Sequence, residues 1–102
     1  MKIQVLDSAL KDLAIARQFY DCQQEGIGDY FFDSLFSEID SLVFHAGIHS
    51  VHFGFYRLLA KRFPYAIYYK IIDDEVIIFR VLDCRSEPSK LRKMLENLTL
   101  WK

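Results

Sequence analysis

The chain has no surplus of positive charge. Its 13 lysines and arginines face 14 aspartates and glutamates, for a formal net charge of −1. A protein that lives on phosphate contacts normally carries a clear basic excess, so any basic patch here is local and offset elsewhere. Cysteine is scarce too: Cys22 and Cys84 are the whole complement. Two are too few for a disulfide framework and their spacing fits no zinc pattern, so both read as reduced thiols of a cytoplasmic protein. The stretch from Met1 to Leu10 lacks the apolar core of a signal peptide. No run reaches the length of a membrane span. No linker, repeat or low-complexity tract divides the 102 residues, so a single domain over 1–102 is expected.

Sites of familiar chemistry are missing as well. There is no glycine-rich phosphate loop and no paired-carboxylate hydrolase pattern. His45, His49 and His52 cluster in sequence, but no carboxylate or cysteine stands beside them at ligand spacing. They read as surface or loop histidines, and neither a metal nor a cofactor is expected. Cys84 has no histidine near it in sequence, which argues against a thiol nucleophile.

What is present is apolar: 52% of residues are hydrophobic and 16% aromatic. That fills a core, although a domain this small buries a modest fraction of its unfolded surface. The aromatic content points to a partner.

Lys2 to Leu6 alternates weakly and predicts a short strand. Asp7-Ser8 offers an N-cap, and Ala9, Leu13, Ala16 and Tyr20 then recur at helical spacing, with Leu10 and Arg17 widening the stripe. Gly26 and Gly28 break that pattern. A second helix is expected from about Asp29 to about Ala46, with Phe32, Leu35, Ile39, Leu42 and Ala46 as its buried stripe. Asp33, Ser37, Glu38 and Asp40 make its outer face. Gly47 suits the left-handed position after a helix. Joined this tightly, the two helices predict an antiparallel hairpin.

From Val51 the period becomes two. His52–Ala60, Tyr65–Ile72 and Glu75–Arg85 read as three strands, with Asp73-Asp74 as a two-residue turn and Pro64 ahead of the second strand, where a missing N–H is tolerated. The last strand is apolar on both faces and belongs inside the sheet. A terminal helix, "SEPSKLRKMLENL", starts near Ser86 with Pro88 in its first turn. The order β-α-α-β-β-β-α predicts an α+β domain: a helical hairpin on a mostly antiparallel four-stranded sheet.

Several charged residues interrupt this apolar frame. Arg57 lies between Phe55 and Leu59 on one strand face, which requires a partner or an open groove. It is either a structural ion pair, with Asp83 as the candidate acid, or a functional guanidinium. Arg85 shares a face with Val81 and Asp83. It either pairs with Asp83 or Glu87, or is presented to a phosphate or carboxylate. Arg80 points to the other face, its stem under a helix and its head reaching solvent. Lys61-Arg62 reads as a solvated turn. Lys90, Arg92 and Lys93 give the last helix a basic side, either solvated or tracking an acidic partner. Tyr56, Tyr65, Tyr68 and Tyr69 supply rigid amphipathic area of the kind enriched at interfaces.

Taken in order, these pieces resemble the RelE/ParE superfamily of bacterial toxins, the plasmid-stabilisation type found in toxin–antitoxin modules. The resemblance runs from about Ile3 to Leu91. It rests on "DSALKDLAIARQFY" after a short strand and on an acidic-aromatic second helix. It continues through "GFYRLLAKRFPYAIYYKI", an arginine strand followed by phenylalanine-proline and a tyrosine-rich strand, to the closing "VIIFRVLDCRSEP". The resemblance implies a cytoplasmic toxin neutralised by a cognate antitoxin.

Two branches follow. RelE-like members cleave messenger RNA in the ribosome, and there Arg57 and Arg85 would stabilise the phosphate chemistry. ParE-like members are not nucleases and target DNA gyrase. The terminal segment "SEPSKL" lacks the downstream tyrosine of the RelE pattern, Asp83 replaces a histidine common in the closing strand, and the near-neutral charge suits ribosomal RNA poorly. These departures favour the ParE-like branch, with a non-toxic antitoxin-binding homologue as the third reading. The implied interface is a concave sheet face crossed by an antitoxin segment at Arg57, Tyr69, Asp83 and Arg85 and extended by Lys90 and Lys93. A homodimer or a heterotetramer with the antitoxin is the implied assembly.

Overall fold

The computed structural model describes residues 1–96. Its elements run β1 (Lys2–Val5), α1 (Asp7–Gln23), α2 (Ile27–Asp40), α3 (Leu42–His45), β2 (Val51–His52), β3 (Phe55–Leu59), β4 (Tyr65–Ile72), β5 (Glu75–Asp83) and α4 (Pro88–Glu96). The expected part of the last helix beyond Glu96 lies outside the described residues.

The sheet has five strands rather than four, in the order β1-β5-β4-β3-β2. β1 lies parallel to β5, and the other neighbours are antiparallel. The extra strand comes from the stretch read as a single strand from His52 to Ala60. Phe53 and Gly54 have φ of 56° and 84°, which folds the chain into a two-residue hairpin turn. Asp73 and Asp74, at φ 51° and 64°, make the expected turn between β4 and β5.

The second helix also departs from its expected length. It stops at Asp40, and one further turn, α3, resumes at Leu42. At the break the Ser41 hydroxyl donates to the Glu38 carbonyl at 2.6 Å, a local bond that competes with the helical ladder. The buried stripe is Phe31, Leu35, Ile39 and Leu42. Phe32 and Ala46, expected within it, are only partly buried at its border. At the start of α1 no side chain caps the helix, and the N-cap position is Leu6. Ser8, expected as a cap, instead donates to the Phe79 carbonyl at 2.6 Å.

The hairpin is tight because Gly28 sits against α1. A Cβ there would lie 2.5 Å from the Arg17 carbonyl oxygen. The amides of Gly26 and Gly28 both donate to Asp21 Oδ1, at 3.1 and 3.2 Å.

The sheet divides the interior in two. Facing the hairpin are Leu58, Ile67, Tyr69, Val76, Ile78 and Val81, packed with Leu13, Phe31 and Leu35. On the reverse face Phe55, Tyr68, Ile77, Phe79 and Leu82 meet Leu91 and Leu95 of α4. β5 therefore lies inside the sheet with side chains buried on both faces, as its unbroken apolar run predicts.

Candidate partner-binding site

β5 ends at Asp83 on the hairpin side, directly across from Tyr65. Arg85 folds back onto Asp83. Its Nε reaches Oδ1 at 3.0 Å, its Nη2 reaches Oδ2 at 2.8 Å and its backbone N–H reaches Oδ1 at 2.8 Å. These bonds hold the Asp83 carboxyl below its ordinary value. The Arg85 side chain remains largely exposed. A guanidinium has five N–H donors, so this pairing leaves part of the fork for another acceptor.

An aromatic shelf borders this pair. Tyr20 of α1 packs on Phe31 at 5.1 Å and on Phe63 at 5.0 Å, with Tyr65 at 6.3 Å. Burial first, and then the neighbouring Tyr20 and Asp83, push the Tyr65 phenol up to about 12. Burial also raises Tyr20, against the opposing charge of Arg85. Phe19, beside Tyr20, is half exposed. Arg62, expected in a solvated turn, lies over the exposed Tyr30 ring at 5.8 Å.

A groove of about 280 Å³ opens next to the shelf between α1, the end of β5 and α4. Ile15, Tyr65, Arg80, Asp83, Ser86 and Met94 are among its walls. Ile15 is 70% exposed there.

Arg57 is elsewhere. It alternates with Phe55 and faces Tyr68 across the strands, on the side of the sheet that α4 covers. Its guanidinium donates to the Tyr68 phenol, lowering a value that burial raises. Its Nε is buried without a partner among the described residues. Asp83, the acid expected for Arg57, belongs to Arg85. The two arginines thus do not share one concave face: the head of Arg85 lies with Tyr20 and Tyr65 on the hairpin side, and Arg57 lies on the reverse.

Arg80 does not send its head to solvent. It makes a two-pronged bond to Asp12 of α1, at 2.7 and 2.9 Å, and the Val81 amide donates to the same carboxylate at 3.0 Å. A register shift allows this. Tyr69 pairs with Ile78 and Tyr68 with Arg80, skipping Phe79, and such a bulge re-aims the side chain beside it.

Tyr69 is fully buried. Its hydroxyl accepts the Gly47 amide at 3.0 Å and contacts His49 Nδ1 at 2.5 Å, so it fastens the loop after α3 rather than offering a surface. Lys90 and Lys93 are exposed on α4, whose inner side is Leu91 and Leu95. Cys22 and Cys84 are free and exposed. The surroundings of the Cys84 thiol push it up, desolvation first, the opposite of what an activated nucleophile needs.

Sequence reasoning missed Asp12, Tyr20 and Phe63 as site residues. Asp12 was open to discovery: it sits three residues after Ala9 and four before Ala16, an acid on the buried side of an amphipathic helix. Nothing local in sequence joins Tyr20 to Phe63, which only the folded shelf brings together.

A helical hairpin on one side of a mostly antiparallel sheet, with an arginine–carboxylate exit edged by aromatics, defines the small toxin fold that the sequence resembles. The chain belongs to the ParE toxin family: the family described as "ParE toxin of type II toxin-antitoxin system, parDE" matches residues 3–88. It is a ParE-like toxin of the type II class. Among solved structures, a chain of the chromosomal ParDE TA system from P. aeruginosa is similar to it, with a TM-score of 0.71 and 19% identity, covering 79% of this chain and 92% of that one. At that identity the likeness shows the fold. No curated protein sequence matches significantly. Among the described residues no helix is long and apolar enough to cross a membrane.

Proposed function

We propose that this chain is a cytoplasmic toxin that inhibits DNA gyrase and is neutralised by an antitoxin segment seated in the groove between α1 and the exit of β5. The observation that carries this reading is the exit itself. Arg85 is exposed but anchored by Asp83, beside phenols held above their ordinary values. Such a site recognises an acidic or polar partner through charge and aromatic area. It offers no group poised near neutral pH for proton transfer, as an RNA-cleaving site requires.

Ile15 and Phe19 supply apolar contact on α1. Arg85 offers its free donors to an acidic side chain, and Lys90 and Lys93 continue the positive charge along α4. Arg57 acts from the other side of the sheet by supporting Tyr68.

Purified toxin added to a gyrase supercoiling reaction should block supercoiling, and a stoichiometric amount of the cognate antitoxin should restore it. Ribosome-dependent cleavage of messenger RNA with gyrase untouched would replace this reading with the nuclease one. Inactivity in both assays, with antitoxin binding retained, would leave the non-toxic homologue.

A further inference from the structure

Between Ser41 and Tyr56 the chain has no aspartate, glutamate, lysine or arginine, although 26% of its residues are charged, and this stretch holds all 3 histidines. The same segment exposes a band of apolar side chains. Phe44 is 84% exposed, Ile48 74%, Val51 61% and Val43 43%. The segment is anchored. Leu42 and Ala46 pack into the hairpin-side core, Gly47 and His49 bond to the Tyr69 hydroxyl, and Val51 and His52 pair with β3 as the last strand of the sheet. A fixed surface therefore holds these apolar groups in water, which is the mark of a docking face.

We propose that two copies of the chain associate through this face, formed by the outer side of α3, the loop that follows it and the edge of β2, which is unpaired among the described residues. Symmetry is the first argument. A two-fold contact sets a patch against its own copy, residue i meeting j and j meeting i, so a charge on the axis itself meets its like. A centre free of Asp, Glu, Lys and Arg avoids that repulsion and suits self-pairing. Area is the second. A standard interface buries about 800 Å² per partner, about 60% of it apolar, so roughly 500 Å² of apolar surface is needed on each side. Burying one aromatic ring removes about 150–250 Å², so Phe44, at 84% exposure, offers on the order of 150 Å², and Ile48, Val51 and Val43 extend that area. The edge is the third. Arg57 N–H bonds to the Ser50 carbonyl, so by alternation the Val51 N–H and C=O face away from β3. Two such edges meet antiparallel under a two-fold axis and can exchange those bonds.

Sedimentation analysis of the full chain, made by cell-free synthesis without antitoxin, tests this. At micromolar concentration and near-neutral pH a dimer is expected. Phe44→Asp combined with Ile48→Asp should give a monomer with the wild-type circular dichroism spectrum. Val51→Lys should do the same by a route that leaves α3 untouched. A wild-type chain that stays monomeric overturns the proposal. So does a dimer that survives both sets of substitutions.

Discussion

At the scale of single residues, the two arginines singled out by sequence separate into different jobs. Arg57 supports a buried phenol from beneath α4, and Arg85 stands exposed at the rim. Arg57→Ala leaves the Tyr68 hydroxyl, on a residue 2% exposed, without its donor, and an unsatisfied buried group costs about 1–3 kcal/mol. Urea unfolding should show that loss, and titration calorimetry should show antitoxin affinity unchanged. Arg85→Glu removes the bond to Asp83 and sets a second carboxylate beside it, so the unfolding midpoint should fall, and antitoxin binding should weaken as well, by at least about tenfold, the loss typical of a hot-spot arginine. An Arg85→Glu protein that binds as tightly as wild type would put the antitoxin elsewhere. Asp83 adds a pH signature. Its carboxyl is lowered in the fold, chiefly by the bond from Arg85, so its stabilising contribution is complete above the ordinary carboxylate value and fades as pH falls through the folded one. The gap in urea midpoint between wild type and Asp83→Asn should therefore be present at pH about 6 and narrow as pH falls below the ordinary carboxylate range.

At the scale of elements, the sequence was legible where one local rule decides the outcome. Alternation set β4 from Tyr65 to Ile72, Asp73-Asp74 marked the turn, and Pro88 opened α4. It was illegible where two rules compete. Leu35, Ile39, Leu42 and Ala46 keep helical spacing straight through Ser41, so periodicity cannot register a break made by one hydroxyl bonding back to Glu38. Phe53 at positive φ is a conformation bulky residues rarely adopt, and no turn rule anticipates it. The skipped residue at Phe79 shifts the alternation, and that shift is what lets Arg80 reach Asp12. Gly28 is a position where sequence and packing agree, and a substitution exposes why. A methyl group at Gly28 meets the Arg17 carbonyl, which is backbone and cannot swing aside, so Gly28→Ala should cost about 1–3 kcal/mol as the helices are forced apart. Gly26, at φ 91° with open space around it, should tolerate Asn, which enters the left-handed region readily. Equal effects of the two changes on the thermal midpoint would mean the hairpin is looser than its geometry.

At the scale of the whole molecule, the sheet is a wall between two interiors, and function is distributed around it. The hairpin-side core positions the shelf and groove at the entry of β4 and the exit of β5. Tyr65 and Ile71 both face the hairpin side, and six residues of strand at about 3.3 Å each separate the shelf at Tyr65 by about 20 Å from Ile71, against which Gly47 is packed. An antitoxin at one end and a second copy of the chain at the other therefore do not compete for the same surface. The wall should also be visible in the energetics. Ile39 of α2 lies in the hairpin-side core and Ile77 of β5 in the core under α4. Each Ile→Val change removes one buried methylene and should cost about 0.5–1.5 kcal/mol. Because the sheet stands between them, with no shared cavity to collapse, the double variant should lose the sum of the two to within about 0.5 kcal/mol. The domain survives that loss, since a chain this small has about 5–15 kcal/mol in total. A coupling above about 1 kcal/mol in urea unfolding would show that the sheet flexes and relays strain between its faces. In that case binding at the exit groove would be felt by α4, and the separate roles of Arg57 and Arg85 would merge.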